Sequence, residues 1–276
     1  MPCADVQGAR LYYERRGSGD PLLFITGWTI SAAVFEPVLD LYAEHFDVIL
    51  YDHRGSARSS GTSPTTMGAL ADDAAGLLKR LGVPRAHVCG LSMGGAVAQE
   101  VALRHPGRVH GLILGGTSSG GLFGPRLGLR DVLAITRGAL SERTLRAPLL
   151  FSPAFRREHP ERVRELVRHF TAHRSSPATI AAQTGASAMH ATLQRLGRLR
   201  APTLVMHGEL DRLVPLAASR LLASRIPDAE LAIIAGSGHA YVLEHPQESL
   251  DVLLSWLERR LHRPAPERNR HVALDR

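Results

Sequence analysis

Cysteine is almost missing from this chain: Cys3 and Cys89 are the two among 276 residues. Two thiols make no disulfide framework, so a packed core has to hold the fold, and free thiols fit a cytoplasmic protein. Aromatic residues reach 5%, and none interleave with the basic residues as a groove for single-stranded nucleic acid would need. Lys79 is the one lysine among 33 basic residues. Apolar runs stay well short of the ~18 residues of a membrane-spanning helix. Met1-Pro2-Cys3-Ala4-Asp5 lacks the basic region and apolar stretch of a signal peptide. No internal repeat and no metal-ligand spacing such as His-x-x-x-His is present; His159, His173 and His190 are scattered.

The formal charge of +7 is concentrated at one end. Six arginines between Arg259 and Arg276 face Glu267 and Asp275, so +4 of the excess lies there. Residues 263–276, rich in Arg and Pro, are expected to form a disordered basic tail. The chain as a whole is an ordinary mixture, 44% hydrophobic and 21% charged. Such a chain can bury a sizeable core and calls for neither a nucleic-acid nor a membrane partner. A monomer or homodimer acting on a small molecule is the expectation.

What the chain does contain is a regular alternation. Arg10–Arg16 alternates as a strand does and ends at Gly17-Ser18-Gly19. Pro21–Ile25 is a continuous apolar run, as in a strand covered on both faces, and Phe46–Tyr51 is the next buried strand. Phe35, Val38, Leu39 and Tyr42 between them have helical spacing, as do Leu70, Ala74, Leu77, Leu78 and Leu81 further on. Strands follow at Ala86–Cys89 and Val109–Leu114, then at Thr203–His207 and Leu231–Ile234. Strands separated by helices and joined by short loops imply a mainly parallel sheet with helices on both faces. From about Pro125 to Gln194 the pattern is helical only (Leu127–Leu140, Ser141–Phe151, Pro160–His173, Pro177–His190), too long a stretch for a loop.

The run Val88-Cys89-Gly90-Leu91-Ser92-Met93-Gly94-Gly95 stands between a strand and a helix. Gly-x-Ser-x-Gly in that setting is a nucleophile elbow, whose glycines admit a turn tight enough to push the serine hydroxyl into the open. Asp211 follows the strand ending at His207, and His239 follows the last strand within Gly236-Ser237-Gly238-His239. Both would reach the sheet edge where the serine emerges. The order Ser92, Asp211, His239 suits a triad in which His239 takes the Ser92 proton and Asp211 holds the imidazole. The oxyanion would be met by the backbone N–H groups of Met93 and Trp28, the latter in the loop Thr26-Gly27-Trp28. Ser118 and Ser119, where the sheet hands over to the helical stretch, are candidate pocket residues beside Trp28. Asp52 and Arg54 are expected to form a structural pair, and His207 to be structural. Glycines 115, 116, 120 and 121 do not make a dinucleotide fingerprint, so no cofactor and no metal is expected.

Taken together, Pro21–Trp28, Tyr51–Ser59, Gly90–Gly95, His207–Pro215 and Gly236–His239 resemble the motifs of the α/β-hydrolase fold. The likeness covers roughly residues 5–262 and is strongest to small bacterial esterases, enol-lactonases and cofactor-free haloperoxidase-like enzymes with a helical cap. It implies a mainly parallel eight-stranded sheet with an all-helical cap inserted after the sixth strand. Residues 1–117 and 196–262 would be the core and 118–195 the cap. It also implies a serine hydrolase that cleaves an ester, lactone or thioester of a small, largely apolar metabolite through an acyl-Ser92 intermediate. Non-hydrolytic chemistry on the same triad (perhydrolysis, C–C cleavage, cyclisation), or a ligand-binding receptor, is the alternative. Serine at position 92 argues against dehalogenases and epoxide hydrolases, which need a carboxylate there. Two departures stand out. Thr26 replaces the family's His before the oxyanion residue, so the loop needs another brace. Ala57 replaces a glycine in Arg54-Gly55-Ser56-Ala57-Arg58-Ser59, at a strain if that position needs positive φ.

Overall fold

A computed structural model describes residues 2–120, 147–173 and 175–261. The expected helix Leu127–Leu140, most of Ser141–Phe151 and the basic tail lie outside these residues. Eight strands form one sheet: β1 Cys3–Val6, β2 Ala9–Arg16, β3 Asp20–Ile25, β4 Phe46–Tyr51, β5 Ala86–Leu91, β6 Val109–Gly115, β7 Thr203–Gly208 and β8 Ala229–Ile234. Their order across the sheet is β1-β2-β4-β3-β5-β6-β7-β8. The first two pairings are antiparallel and all later ones parallel. The strand β1 has four residues with alternating burial, too short for its own pattern to announce it.

The central parallel strands are mostly apolar and buried on both faces, with the edge strand β8 only partly buried, and their residues divide by parity. Leu23, Ile25, Ile49 and Tyr51 pack into one core with α2 (Met67–Arg80), α3 (Met93–Arg104) and the helix Leu216–Arg225. Leu22, Phe24, Val48 and Leu50 pack into the other with α1 (Glu36–Ala43) and the helix Pro246–Leu261. Helix boundaries follow local chemistry: the Thr66 hydroxyl accepts from Ala69 N at 3.2 Å and starts α2, and Gly82 (φ 71°) stands just past its end.

Between β6 and β7 the described residues form helices, notably α4 (Pro160–Thr171) and α5 (Pro177–Met189), with the shorter Ala147–Leu150 and Pro153–Glu158. One isolated bridge, Gly120 to Ala191, closes the neck of this insertion. Gln99 of α3 reinforces the neck, since its amide donates to Ser118 O at 2.9 Å and accepts from the Thr192 hydroxyl at 2.5 Å.

Candidate active site

All six parallel strands point their C-terminal ends to one edge, and the loops leaving β3, β5, β6, β7 and β8 meet there. After β5 the chain turns so sharply that Ser92 takes φ 57° and ψ −121° before α3 begins. A non-glycine residue there stores on the order of 1–3 kcal/mol of backbone strain. The turn closes only because residues 90 and 94 lack side chains: a Cβ on Gly90 would strike the Gly94 backbone and one on Gly94 the Ile25 carbonyl. Ser92 is held by its N–H to Gly115 O at 2.8 Å.

The loops after β7 and β8 are tied to each other. Leu210 N donates to Ser237 O (2.8 Å), Glu209 N to Ile234 O (3.0 Å), and the Glu209 carboxylate accepts from Gly236 N (2.8 Å). This sets Asp211 against His239, with Oδ2 2.6 Å from Nδ1. The other oxygen of Asp211 accepts from Leu213 N (2.7 Å) and Val214 N (3.0 Å). Burial would push this carboxyl up, but the His239 ring and the Val214 N–H hold it below the ordinary carboxylate value. An ionised Asp211 accepts, so Nδ1 of His239 carries the proton and Nε2 is left basic in the neutral ring. His207, fully buried, supports the acid loop, donating from Nε2 to Val214 O (3.1 Å) and leaving Nδ1 to the Ser219 hydroxyl (2.8 Å). Gly116 lies beneath the pair; at φ 49°, a Cβ there would come within 3.3 Å of both Asp211 Oδ2 and the His239 ring.

Ser92 and His239 line one cavity of about 120 Å³, together with Gly27, Trp28, Leu91, Leu149, Leu150, Phe170, Leu213 and Leu243. No hydrogen bond among the described residues closes between the Ser92 hydroxyl and the His239 ring. Apart from these two side chains and the Trp28 indole, the described wall is hydrocarbon. Leu149, Leu150 and Phe170 belong to the helical insertion and roof it. Met93, at the first turn of α3, is buried behind the elbow. Ser118 and Ser119 are buried and absent from the described cavity wall, contrary to expectation. Their carbonyls accept from Gln99 and Thr192, so they anchor the neck.

The loop Thr26–Thr29 is braced from below by His53, whose Nε2–H donates to Thr26 O at 3.1 Å. This answers the missing family histidine; the Thr26 hydroxyl itself has no hydrogen-bond partner among the described residues. Burial lowers the His53 pKa and keeps the ring neutral. The expected Asp52–Arg54 pair does not form. Asp52 pairs with Arg58 (2.7 Å) and accepts from Ala32 N (2.6 Å), while Arg54 reaches Asp73 on α2. From above, the loop meets α5: Trp28 Nε1 donates to the Thr184 hydroxyl (3.1 Å), and Thr29 N to Gln183 Oε1 (2.7 Å). A second tie holds the histidine loop, because buried Glu244 accepts from Gly238 N (2.8 Å) and Ser152 N (3.1 Å). Gly116, Gln183 and Glu244 carry no motif; their neighbours in space, not in sequence, make them part of the site.

A serine on a strained strand-to-helix turn, with an Asp–His pair brought to the same cavity by two later strands, defines a class. Residues 20–246 match the model of the alpha/beta hydrolase fold family, and the chain belongs to it. It is a hydrolase of this fold. Its sequence is 31% identical over 259 residues to a protein of Azorhizobium caulinodans named provisionally as a carbamate hydrolase, RutD, covering 93% of this chain and 98% of the relative. Its structure is similar to a thermophilic esterase from Thermogutta terrifontis (27% identity, TM-score 0.81, 94% and 99% of the two chains). It is also similar to the enol-lactonase from Burkholderia xenovorans LB400 (25% identity, TM-score 0.80, 93% and 100%). Among the described residues no helix is long and apolar enough to cross a membrane, and no group of three or more His, Cys, Asp or Glu side chains could hold a metal ion.

Proposed function

We propose that this protein cleaves a carboxylic ester, lactone or thioester of a small apolar substrate by acyl transfer through Ser92. The observation that carries the reading is the 2.6 Å Asp211–His239 bond beside a cavity that Ser92 also lines. Nε2 of His239 takes the Ser92 proton as Oγ attacks the carbonyl, and returns it to the departing alcohol or thiol. The oxyanion is received by the backbone N–H groups of Met93 and Trp28. Water, deprotonated by the same Nε2, then releases the acid and restores Ser92. The hydrocarbon wall supports a neutral, apolar acyl or alkyl group, since no cation on the described wall would meet a charged one.

A fluorophosphonate should label the folded protein at Ser92, and Ser92→Ala should abolish both labelling and p-nitrophenyl butyrate hydrolysis, by about 10³-fold or more. Asp211→Asn should cost about 10⁴-fold by leaving His239 in the wrong tautomer. Folded protein that resists labelling would point to a receptor. Labelling without acid released from short esters and lactones would point to non-hydrolytic use of the triad.

A further inference from the structure

Three side chains of α5 reach the loops around the site, Thr179 and Gln183 from its buried face and Thr184 from the exposed border of that face. Thr179, one turn earlier on α5, donates its hydroxyl to Gly55 O at 2.6 Å. Gln183 is fully buried and spends both ends of its amide: Oε1 accepts from Thr29 N (2.7 Å) and Nε2 donates to the Ser56 hydroxyl (2.8 Å). Thr184 accepts from the Trp28 indole. Thr179 and Gln183 share the buried face because they stand four positions apart on a helix of 3.6 residues per turn, and Thr184, next round the helix from Gln183, reaches the indole from the exposed side.

The backbone they grip is unusual. Thr29 is β-branched and sits at φ 58°, a conformation such residues leave unless neighbours hold them there. Its N–H follows directly on Trp28, whose own N–H is placed in the oxyanion hole above. His53 fixes the carbonyl of Thr26 from the core side. Residue 28 is thus held between a core histidine and a helix of the insertion, and Gln183 supplies the hold on the strained side.

We propose that Gln183 is a positioning residue for the oxyanion loop, so that the hole takes its working shape only while α5 is docked. The proposal rests on the Ser92 acyl-transfer reading. Its energetic logic is preorganisation: a donor displaced by a fraction of an ångström loses most of its stabilisation of the transition state and little of its ground-state binding. Lifting α5 would release Thr29 and Trp28 together, coupling access to the cavity with catalytic competence.

The test compares wild type, Gln183→Met and Gln183→Glu with p-nitrophenyl butyrate, beside thermal midpoints and fluorophosphonate labelling. Methionine keeps the volume but removes both hydrogen bonds, and kcat should fall about tenfold or more with KM within about threefold. Glutamate keeps an acceptor for Thr29 N–H and should recover kcat to within about threefold of wild type. A folded Met variant with unchanged kcat, a loss confined to KM, or a Glu variant as slow as Met would each overturn the proposal. Should the Met variant not fold, Thr184→Val removes the neighbouring tie to the indole, and a kcat decrease of about threefold at constant KM is then the criterion. Wild type that neither turns over ester nor is labelled at Ser92 would defeat the acyl-transfer reading instead, so the two failures are distinguishable.

Discussion

Ala57 sits at φ 49° in the loop that carries Arg54 and Arg58, where an L side chain costs about 1–2 kcal/mol. Its neighbour Gly55, at φ 70°, meets the same demand with the residue suited to it. Ala57→Gly should therefore stabilise the fold by about 1 kcal/mol, even after the added freedom of glycine in the unfolded chain. A chain of this size should respond with a midpoint higher by about 2–4 °C in a thermal scan; an unchanged or lower midpoint would contradict the strain argument. The position was legible beforehand because a motif glycine was missing from it. Ser92, Asp211 and His239 were legible for a similar reason, each standing at a glycine-marked strand end. Ionic partners were not. Arg54 lies two residues from Asp52 yet pairs with Asp73, while Arg58 takes Asp52, because the turn at Gly55 decides which guanidinium faces inward. A choice of that kind is made in three dimensions and leaves no periodicity.

The sheet and its flanking helices could be read from alternation and 3.6-residue spacing, since burial on two faces or one imposes those patterns directly. How the helical insertion docks could not, for docking depends on single polar side chains within otherwise ordinary helices. Glu244 shows this best. It closes the short helix Tyr241–Glu244, is 7% exposed, and has no cationic partner among the described residues; backbone N–H groups of Gly238 and Ser152 satisfy it instead. One belongs to the histidine loop and the other to the segment beside the cavity-lining Leu149 and Leu150. Ala240 N to Leu150 O, at 2.9 Å, completes the junction. Glu244→Ala would strand two buried donors and should cost about 2–4 kcal/mol in urea unfolding, with Glu244→Gln costing less because one acceptor survives. Equal stability of wild type and the Ala variant would show the junction to be wet.

Across the whole molecule, the buried histidines set the response to acid. His53, His87, His190 and His207 are all less than one-tenth exposed, and burial lowers the pKa of each. For His87 and His190 the value falls from 6.5 to about 4. His87 stacks on His110 at 4.8 Å, whose charge, with that of Arg85, pushes it further down while Asp20 pulls it up. Glu100 and Arg195 act on His190 in the same opposed way. The unfolded chain therefore binds protons below pH 6.5 that the folded chain refuses. Stability is complete above about pH 6.5 and is lost as the pH falls toward 4, by roughly 3 kcal/mol for each of these two rings. Asp211, held below the ordinary carboxylate range, adds a loss of the same sign only at still lower pH. With a net charge of +7 already present, each new proton also meets repulsion. Denaturant unfolding at pH 7 and pH 5 checks this: wild type should lose several kcal/mol between them. His87→Phe, which keeps a ring against His110 and Phe46, should lose roughly 2 kcal/mol less. Parallel losses in the two proteins would mean that His87 is already protonated in the folded state, and the acid response would then have to come from the carboxylates.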